Sequence, residues 1–477
     1  MIAVGMAALA LMWGLGTGDW GLGREPSTAE QAPSPVIPSR PSPQSPVPQS
    51  RSGQSRSGQS RSGQSPVPSP QSSEPGADLS IYLMTMGNGV RIWERFGHNA
   101  IRIVDATHGT DSVFNWGTFD FAQPHFLRRF MTGNTLYWMQ GDDMAQTLAV
   151  YQYTNRSVWV QELDLTPAER VAVRDYIVWN ARPENRYYRY DYYLDNCSTR
   201  VRDLIDRVVG GQLKQAMASR LTNTTYRFHT QRSFQFDPAV ALGTNIGLGE
   251  VADRRISEWE ESFLPARLMD HIRDVRIRES NGAVHPLVKA ERQLFVANGA
   301  PDPRQPPDEM ARNLAIGLAI AVALGILARG ASAGRRAARI AFASLATLWA
   351  AVNGILGVIL IVGWTATRHV FMARNENLLQ FDVLSLALAV VLPMAIASAR
   401  AVRPARTLSI VVAAIALVGF AMQVLPWFNQ VNGEVIALTL PPHLALAWCV
   451  LALTLAPETA PARRGGAVQP VASRSAA

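Results

Sequence analysis

Tyr190-Asp191-Tyr192-Tyr193-Leu194-Asp195-Asn196-Cys197-Ser198-Thr199-Arg200 is the stretch on which the reading of this chain turns. An aromatic run gives way at Cys197 to a helical pattern. Val201, Leu204, Ile205 and Val208 recur on one face, and Gly210-Gly211 ends it. A thiol is thereby placed at a helix start, where the backbone dipole lowers its pKa and favours a nucleophile. The plain alternative is a buried structural cysteine. The chain has 477 residues and only 2 cysteines. The second, Cys449, lies inside a long apolar segment, so the two are not expected to meet in a disulfide.

Working outward, the composition divides sharply. Residues 1–16 (MIAVGMAALALMWGLG) are apolar, short for a spanning helix and without a basic leader, so 1–20 reads as a signal anchor or signal sequence. Residues 21–77 are rich in Pro, Ser and Gln and hold three copies of Arg-Ser-Gly-Gln-Ser between Arg51 and Ser65. Such a segment has little to bury and reads as a disordered tether. Residues 78–305 read as a mixed α+β domain. Strand patterns lie at Leu79 to Thr85, Asn99 to Val104 and Ser112 to Trp116, and a capping box with proline opens a helix at Thr166-Pro167-Ala168-Glu169. Residues 306–458 read as an all-α transmembrane bundle of about five helices, at 313–328, 339–364, 381–399, 407–425 and 438–456. A short disordered cytoplasmic tail, 459–477, follows.

The net charge of +8 is not a nucleic-acid footprint, because much of the excess lies in short loops between apolar spans. Arg329, Arg335, Arg336 and Arg339 form one such group, Arg400, Arg403 and Arg406 a second, and Arg463, Arg464 and Arg474 a third. The positive-inside rule sends all three to the cytoplasm. The 78–305 domain and the loops around His369 to Gln380 and Trp427 to Glu434 then face outward.

A cysteine nucleophile needs a base, and His98, in Glu94-Arg95-Phe96-Gly97-His98-Asn99, stands at the mouth of a strand. A strand-end histidine with a purely structural bond is the alternative. A third group must orient the imidazole. Asn115 in the third strand is the first choice and Asp120 the second, although both residue types also favour turns beside glycine. His108, next to Gly109, marks a loop. No Cys/His spacing fits a metal, and no phosphate-binding glycine loop or serine elbow appears, so no cofactor is expected.

The order His98 before Cys197 resembles the circularly permuted NlpC/papain-like group, whose members carry Asn-Cys at a helix start, as Asn196-Cys197 does here. Several longer runs resemble the Lnb-type lipoprotein N-acyltransferases. They are Glu94 to His98, Val113 to Phe121, Arg182 to Asp191, Asp195 to Asp203, Gly247 to Asp253 and Trp259 to Pro265. His369 and Asn375-Glu376-Asn377-Leu378-Leu379 resemble that family's polar loop between spans. The resemblance implies a Cys197 thioester, with His98 as base and Asn115 holding its tautomer. The acyl donor would be a membrane lipid, and the acceptor the N-terminal amine of diacylglyceryl-cysteine lipoproteins. It also implies that His369, Asn375 and Asn377 line the membrane-side access for lipid, where the plain reading is a polar loop with helix caps. Arg200 and Arg202 would steer lipid phosphate, or else be solvated helix charges. A periplasmic NlpC-like cysteine amidase, peptidase or lipid hydrolase would use the same Cys197 and His98. A non-enzymatic envelope scaffold is the third reading.

Overall fold

A computed structural model describes residues 74–299 and 302–455. The expectations for residues 1–20, for nearly all of the tether and for the 459–477 tail lie outside the described residues.

Among the described residues, nine strands and nine α-helices precede the long apolar helices. In chain order they are β1 (Leu79–Met86), β2 (His98–Asp105), β3 (Thr110–Thr118), α1 (Phe126–Met131), β4 (Leu136–Asp143), α2 (Met144–Tyr153) and β5 (Val158–Leu163). Then come α3 (Pro167–Ala181), β6 (Tyr187–Arg189), α4 (Cys197–Val208), α5 (Gln212–Met217), α6 (Tyr226–Ser233) and α7 (Pro238–Gly247). The series closes with α8 (Glu258–Glu261), α9 (Pro265–Ile272), β7 (Arg276–Arg278), β8 (Val284–Pro286) and β9 (Val288–Phe295). Seven strands form one sheet in the order β6-β4-β3-β2-β1-β5-β9, with antiparallel pairs throughout.

The sheet forms because its strands alternate and both faces are apolar. Ile81, Leu83, Ile101, Ile103 and Trp116 point to one face, where α3, α4 and α9 supply Ile177, Leu204 and Leu268. Met84, Met86, Ala100, Val113 and Val160 point to the other, with Met144 of α2. Each Val, Leu, Ile or Met side chain among them, fully buried, contributes about 1.5–3 kcal/mol. The capping box at α3 is built as the sequence implies: Glu169 N–H donates to Thr166 Oγ1 at 3.3 Å and Thr166 N–H to Glu169 Oε2 at 2.8 Å.

Five stretches long and apolar enough to cross a membrane follow: α10 (Met310–Ser332), α11 (Arg336–Thr365), the span Glu376–Ala395, which contains most of α12 (Leu384–Ala397), then α13 (Ala399–Met422) and α14 (Gly433–Leu455). Contacts join α10 to α11 and α14, α12 to α11 and α13, and α13 to α14. Small residues allow the close approaches. Gly357 lies against the Phe381 carbonyl and Gly317 against that of Leu438, with no room for a side chain at either place.

The boundaries differ from the sequence reading at one place of interest. Arg400, Arg403 and Arg406 were expected in a loop, yet they occupy the first turns of α13. Ser398 explains the difference, because its Oγ accepts the Arg400 N–H at 3.3 Å and starts the helix early. The ends agree with the charge rule. The loops at 369–380 and 429–434 pack on the sheet domain, and the arginines of the first two groups, at 329–339 and 400–406, lie at the opposite ends of the same helices; the third group lies outside the described residues.

Candidate active site

Cys197 is the first residue of α4. Asn196 caps it: Asn196 Oδ1 accepts Thr199 N–H at 2.9 Å, and Thr199 Oγ1 accepts Asn196 N–H at 2.8 Å. The same Asn196 amide donates to the carbonyls of Tyr192 and Phe263, each at 3.0 Å, so the aromatic run before the helix is fixed to it. Ser198 turns into the sheet and donates to Asn99 Oδ1 at 2.7 Å. This bond docks the helix start on β2, one residue from His98. Gly117, at a β-bulge beside Cys197, is required by its left-handed backbone, φ +101°; a Cβ there would meet that of Cys197 only at an ordinary contact distance of 3.7 Å.

Cys197, His98 and Asn115 line one cavity of about 490 Å³. Its lining includes the aromatic side chains Trp93, Phe119, Tyr137 and Tyr190 and the polar Gln140, Asp142 and Arg156. His98 Nε2 bonds Asn115 Oδ1 at 3.0 Å. Asn115 Nδ2 donates in turn to Asp142 Oδ2 at 3.1 Å, and Gln140 Nε2 donates to the other Asp142 oxygen at 3.0 Å. A carboxylate only accepts, so the amide nitrogen of Asn115 must face Asp142 and its oxygen must face the imidazole. Nε2 therefore carries the proton and Nδ1 is the basic nitrogen. Asp142 was not found from the sequence. Its only local signal was Asp142-Asp143 ahead of α2, which reads as a helix cap, and Asp143 does cap α2.

The electrostatics correct one expectation. The helix start was expected to pull the Cys197 thiol below its ordinary value. Burial outweighs it and pushes the thiol up, while the N–H groups of Asn99, Ser198 and Cys197 act in the opposite direction. Desolvation also lowers His98 to about 4, helped by the Arg156 charge and opposed by the Asn115 bond. The resting pair is thus a neutral thiol and a neutral imidazole. Arg156 is buried; its Nε donates to the Gly87 carbonyl at 2.9 Å, and its guanidinium stands 3.7 Å from Glu94.

Several other candidates lie away from this cluster. Asp120 is exposed and accepts the Ala122 N–H at 2.8 Å, so it shapes a turn and makes no bond to His98. His108 sits at the exposed β2–β3 hairpin, bonded to Asp105. Arg200 is engaged by Asp195 at 2.5 Å and lies over the Tyr188 ring. Arg202 is buried against Trp259 and pairs with Asp203. His369, Asn375 and Asn377 do not line the cavity. Asn375 Nδ2 donates to the carbonyls of Ile246 and Gly247 at 2.9 and 3.0 Å, and Asn377 Nδ2 to that of Ile246 at 3.0 Å. His369 Nε2 bonds the Phe130 carbonyl at 3.0 Å, and burial lowers its pKa to about 4. They clamp the inter-span loop to the sheet domain, because α7 leaves unpaired carbonyls at its end that amide donors satisfy. Cys449 is buried in the bundle, and both cysteines are free.

The family model described as the Lnb N-terminal periplasmic domain matches residues 70–232, a span that contains His98, Asn115, Asp142 and Cys197. That stretch is similar to the Lnb domain. No curated protein and no solved structure matches the chain. The Lnb domain is a periplasmic domain, and with five apolar helices behind it the chain is a multi-pass membrane protein that presents this domain to the periplasm.

Proposed function

We propose that the chain is a lipoprotein N-acyltransferase of the bacterial inner membrane, working through a thioester on Cys197. One observation carries the reading. The cavity that holds Cys197 and the His98–Asn115–Asp142 chain belongs to a domain clamped to the outward ends of bilayer-length helices. A hydrolase of soluble wall peptides has no need of that placement, whereas an enzyme whose donor and acceptor both sit in a bilayer does.

In the first half-reaction His98 Nδ1 takes the Cys197 proton as the sulfur attacks an ester carbonyl of a membrane lipid. The developing oxyanion is met by N–H groups at the start of α4, those of Cys197 and Ser198. The ester C–O bond breaks, the leaving alkoxide takes the proton from His98, and a thioester and an alcohol result. In the second half-reaction the free amine of a diacylglyceryl-cysteine attacks the thioester and gives a proton to His98. The C–S bond breaks, the amide forms, and the proton returns to sulfur. Because the resting pair is neutral, the proton moves with the attack and not before it.

The test uses a strain depleted of its own lipoprotein N-acyltransferase, expressing the wild type or Cys197→Ala. Mass spectra of the N-terminal peptide of one abundant lipoprotein are expected to show an added acyl mass with the wild type alone. No added mass, with both proteins present in the membrane, would favour the cysteine hydrolase, and released fatty acid or wall peptide would then be sought.

A further inference from the structure

The short helix α1 is apolar on two sides. Phe126 and Phe130 turn inward, whereas Leu127 and Met131, one helical turn apart, are 57% and 49% exposed. Phe121, just before the helix, is 52% exposed and packs on Phe126 with ring centroids 5.1 Å apart. Arg128 lies exposed between Leu127 and Met131. Apolar side chains so grouped on a surface call for an apolar partner.

The height of this patch is fixed by the bundle. α11 ends at Thr365, and the chain just beyond it is tied to the end of α1. Arg368 N–H donates to the Thr132 carbonyl at 3.0 Å, and His369 Nε2 bonds the Phe130 carbonyl at 3.0 Å. Gly133, with φ +70°, lets the backbones meet; a Cβ there would press on Arg368 at 3.1 Å. The patch is therefore held where a spanning helix leaves the bilayer, at the level of the lipid headgroups. Arg128 and Arg368 add positive charge that suits lipid phosphate.

We propose that residues 119–131 dip into the periplasmic leaflet and form the door through which an acyl chain reaches Cys197. Phe121, Leu127 and Met131 enter the apolar edge of the bilayer, and Arg128 reaches back to the phosphates. Rings then continue inward without a break. Phe126 lies 6.2 Å from Phe119, Phe119 4.9 Å from Tyr137, and Tyr137 4.2 Å from Tyr190. The last three rings line the cavity with Cys197. The occupant is the bilayer in which the chain's own helices sit. The door's use rests on the acyl-transfer reading; its depth in the membrane does not.

The test uses the full chain with Cys197→Ser and Cys449→Ala, reconstituted in nanodiscs of phosphatidylcholine and phosphatidylglycerol. A single cysteine is placed by Leu127→Cys, by Met131→Cys, or by Ala106→Cys as a reference. Ala106 is exposed at the hairpin at the far end of β2 from His98. Each cysteine carries an environment-sensitive fluorophore. Labels at 127 and 131 are expected to shift to the blue, to be quenched by lipid-borne bromine and to resist iodide, while the label at 106 does the reverse. Iodide quenching at 127 and 131 equal to that at 106 would overturn the proposal. In the active chain, Leu127→Asp with Met131→Asp is expected to slow acylation of Cys197 from bilayer lipid and to spare acylation by a short water-soluble ester. Equal slowing with both donors would overturn the door, even if the labels lie deep. If the wild type transfers no acyl group to lipoprotein, acyl transfer fails while the depth result stands.

Discussion

Replacing Asp142 with asparagine should slow catalysis without touching the nucleophile or the base. The side chain keeps its shape, but its oxygen at 3.1 Å from Asn115 Nδ2 is no longer part of an acceptor-only group. The Asn115 amide can then turn over and offer its NH2 to His98 Nε2. That stabilises the tautomer with the proton on Nδ1, which cannot accept the thiol proton. A hydrogen bond to a charged group contributes about 1.5–3 kcal/mol. Asp142 is only partly buried, so solvent screening puts the value at the lower end. At about 1.4 kcal/mol per tenfold, the single-turnover rate of Cys197 acylation should fall about tenfold with substrate affinity unchanged. Asn115→Ala, which removes the orienting group itself, should fall further. The assay is quenched-flow acylation in nanodiscs followed by mass spectrometry of the Cys197 peptide. A rate for Asp142→Asn equal to wild type, alongside a large loss in Asn115→Ala, would refute the tautomer argument.

Four further outcomes follow from the same geometry. His98 is held at about 4, below its ordinary 6.5, so the base stays neutral above that point; the acid limb of kcat/KM is expected near 4, and a limb near 6.5 would contradict the desolvated site. Folding favours the neutral imidazole here, so its contribution to stability is present above 6.5 and is lost as pH falls toward 4; a melting temperature insensitive to pH in that window for wild type, compared with His98→Ala, would count against it. Asn196→Ala removes the cap of α4 and strands the Tyr192 and Phe263 carbonyls, a loss of about 2–4 kcal/mol visible as a lower melting temperature in detergent. Asn375→Ala unclamps the domain from the loop: hydrogen exchange should rise at 246–249 and acylation from bilayer lipid should fall, while labelling of Cys197 by a small thiol probe stays unchanged.

Much of this arrangement is written locally. Asn196-Cys197 sits at a helix start because Asn196 and Thr199 exchange bonds within one turn, a pattern visible in four residues. The five spans are legible because a bilayer demands about twenty apolar residues from each. His98 and Asn115 could be named because each falls in a strand pattern, and the pairing of Ala100 with Asn115 then brings them together. Asp142 was not legible, since it reaches Asn115 only through the register of β3 with β4, which the bulge at Gly117 sets. The thiol's pKa was misjudged because the helix-start effect is local and burial is not. The clamp made by Asn375 and Asn377 was not legible, because polarity beside a membrane is ambiguous. Their partners, the carbonyls at the end of α7, lie more than a hundred residues away in the chain.

The central claim is that Cys197 carries the acyl group. The most direct measurement incubates the purified chain in nanodiscs with bilayer lipid and with a lipoprotein whose N-terminal amine is blocked, so that a thioester formed from either donor cannot discharge. An acyl mass is expected on the peptide containing Cys197, one that neutral hydroxylamine removes and that His98→Ala does not accumulate. An unacylated Cys197 in a preparation that acylates the same lipoprotein once its amine is free would contradict it and place the nucleophile elsewhere.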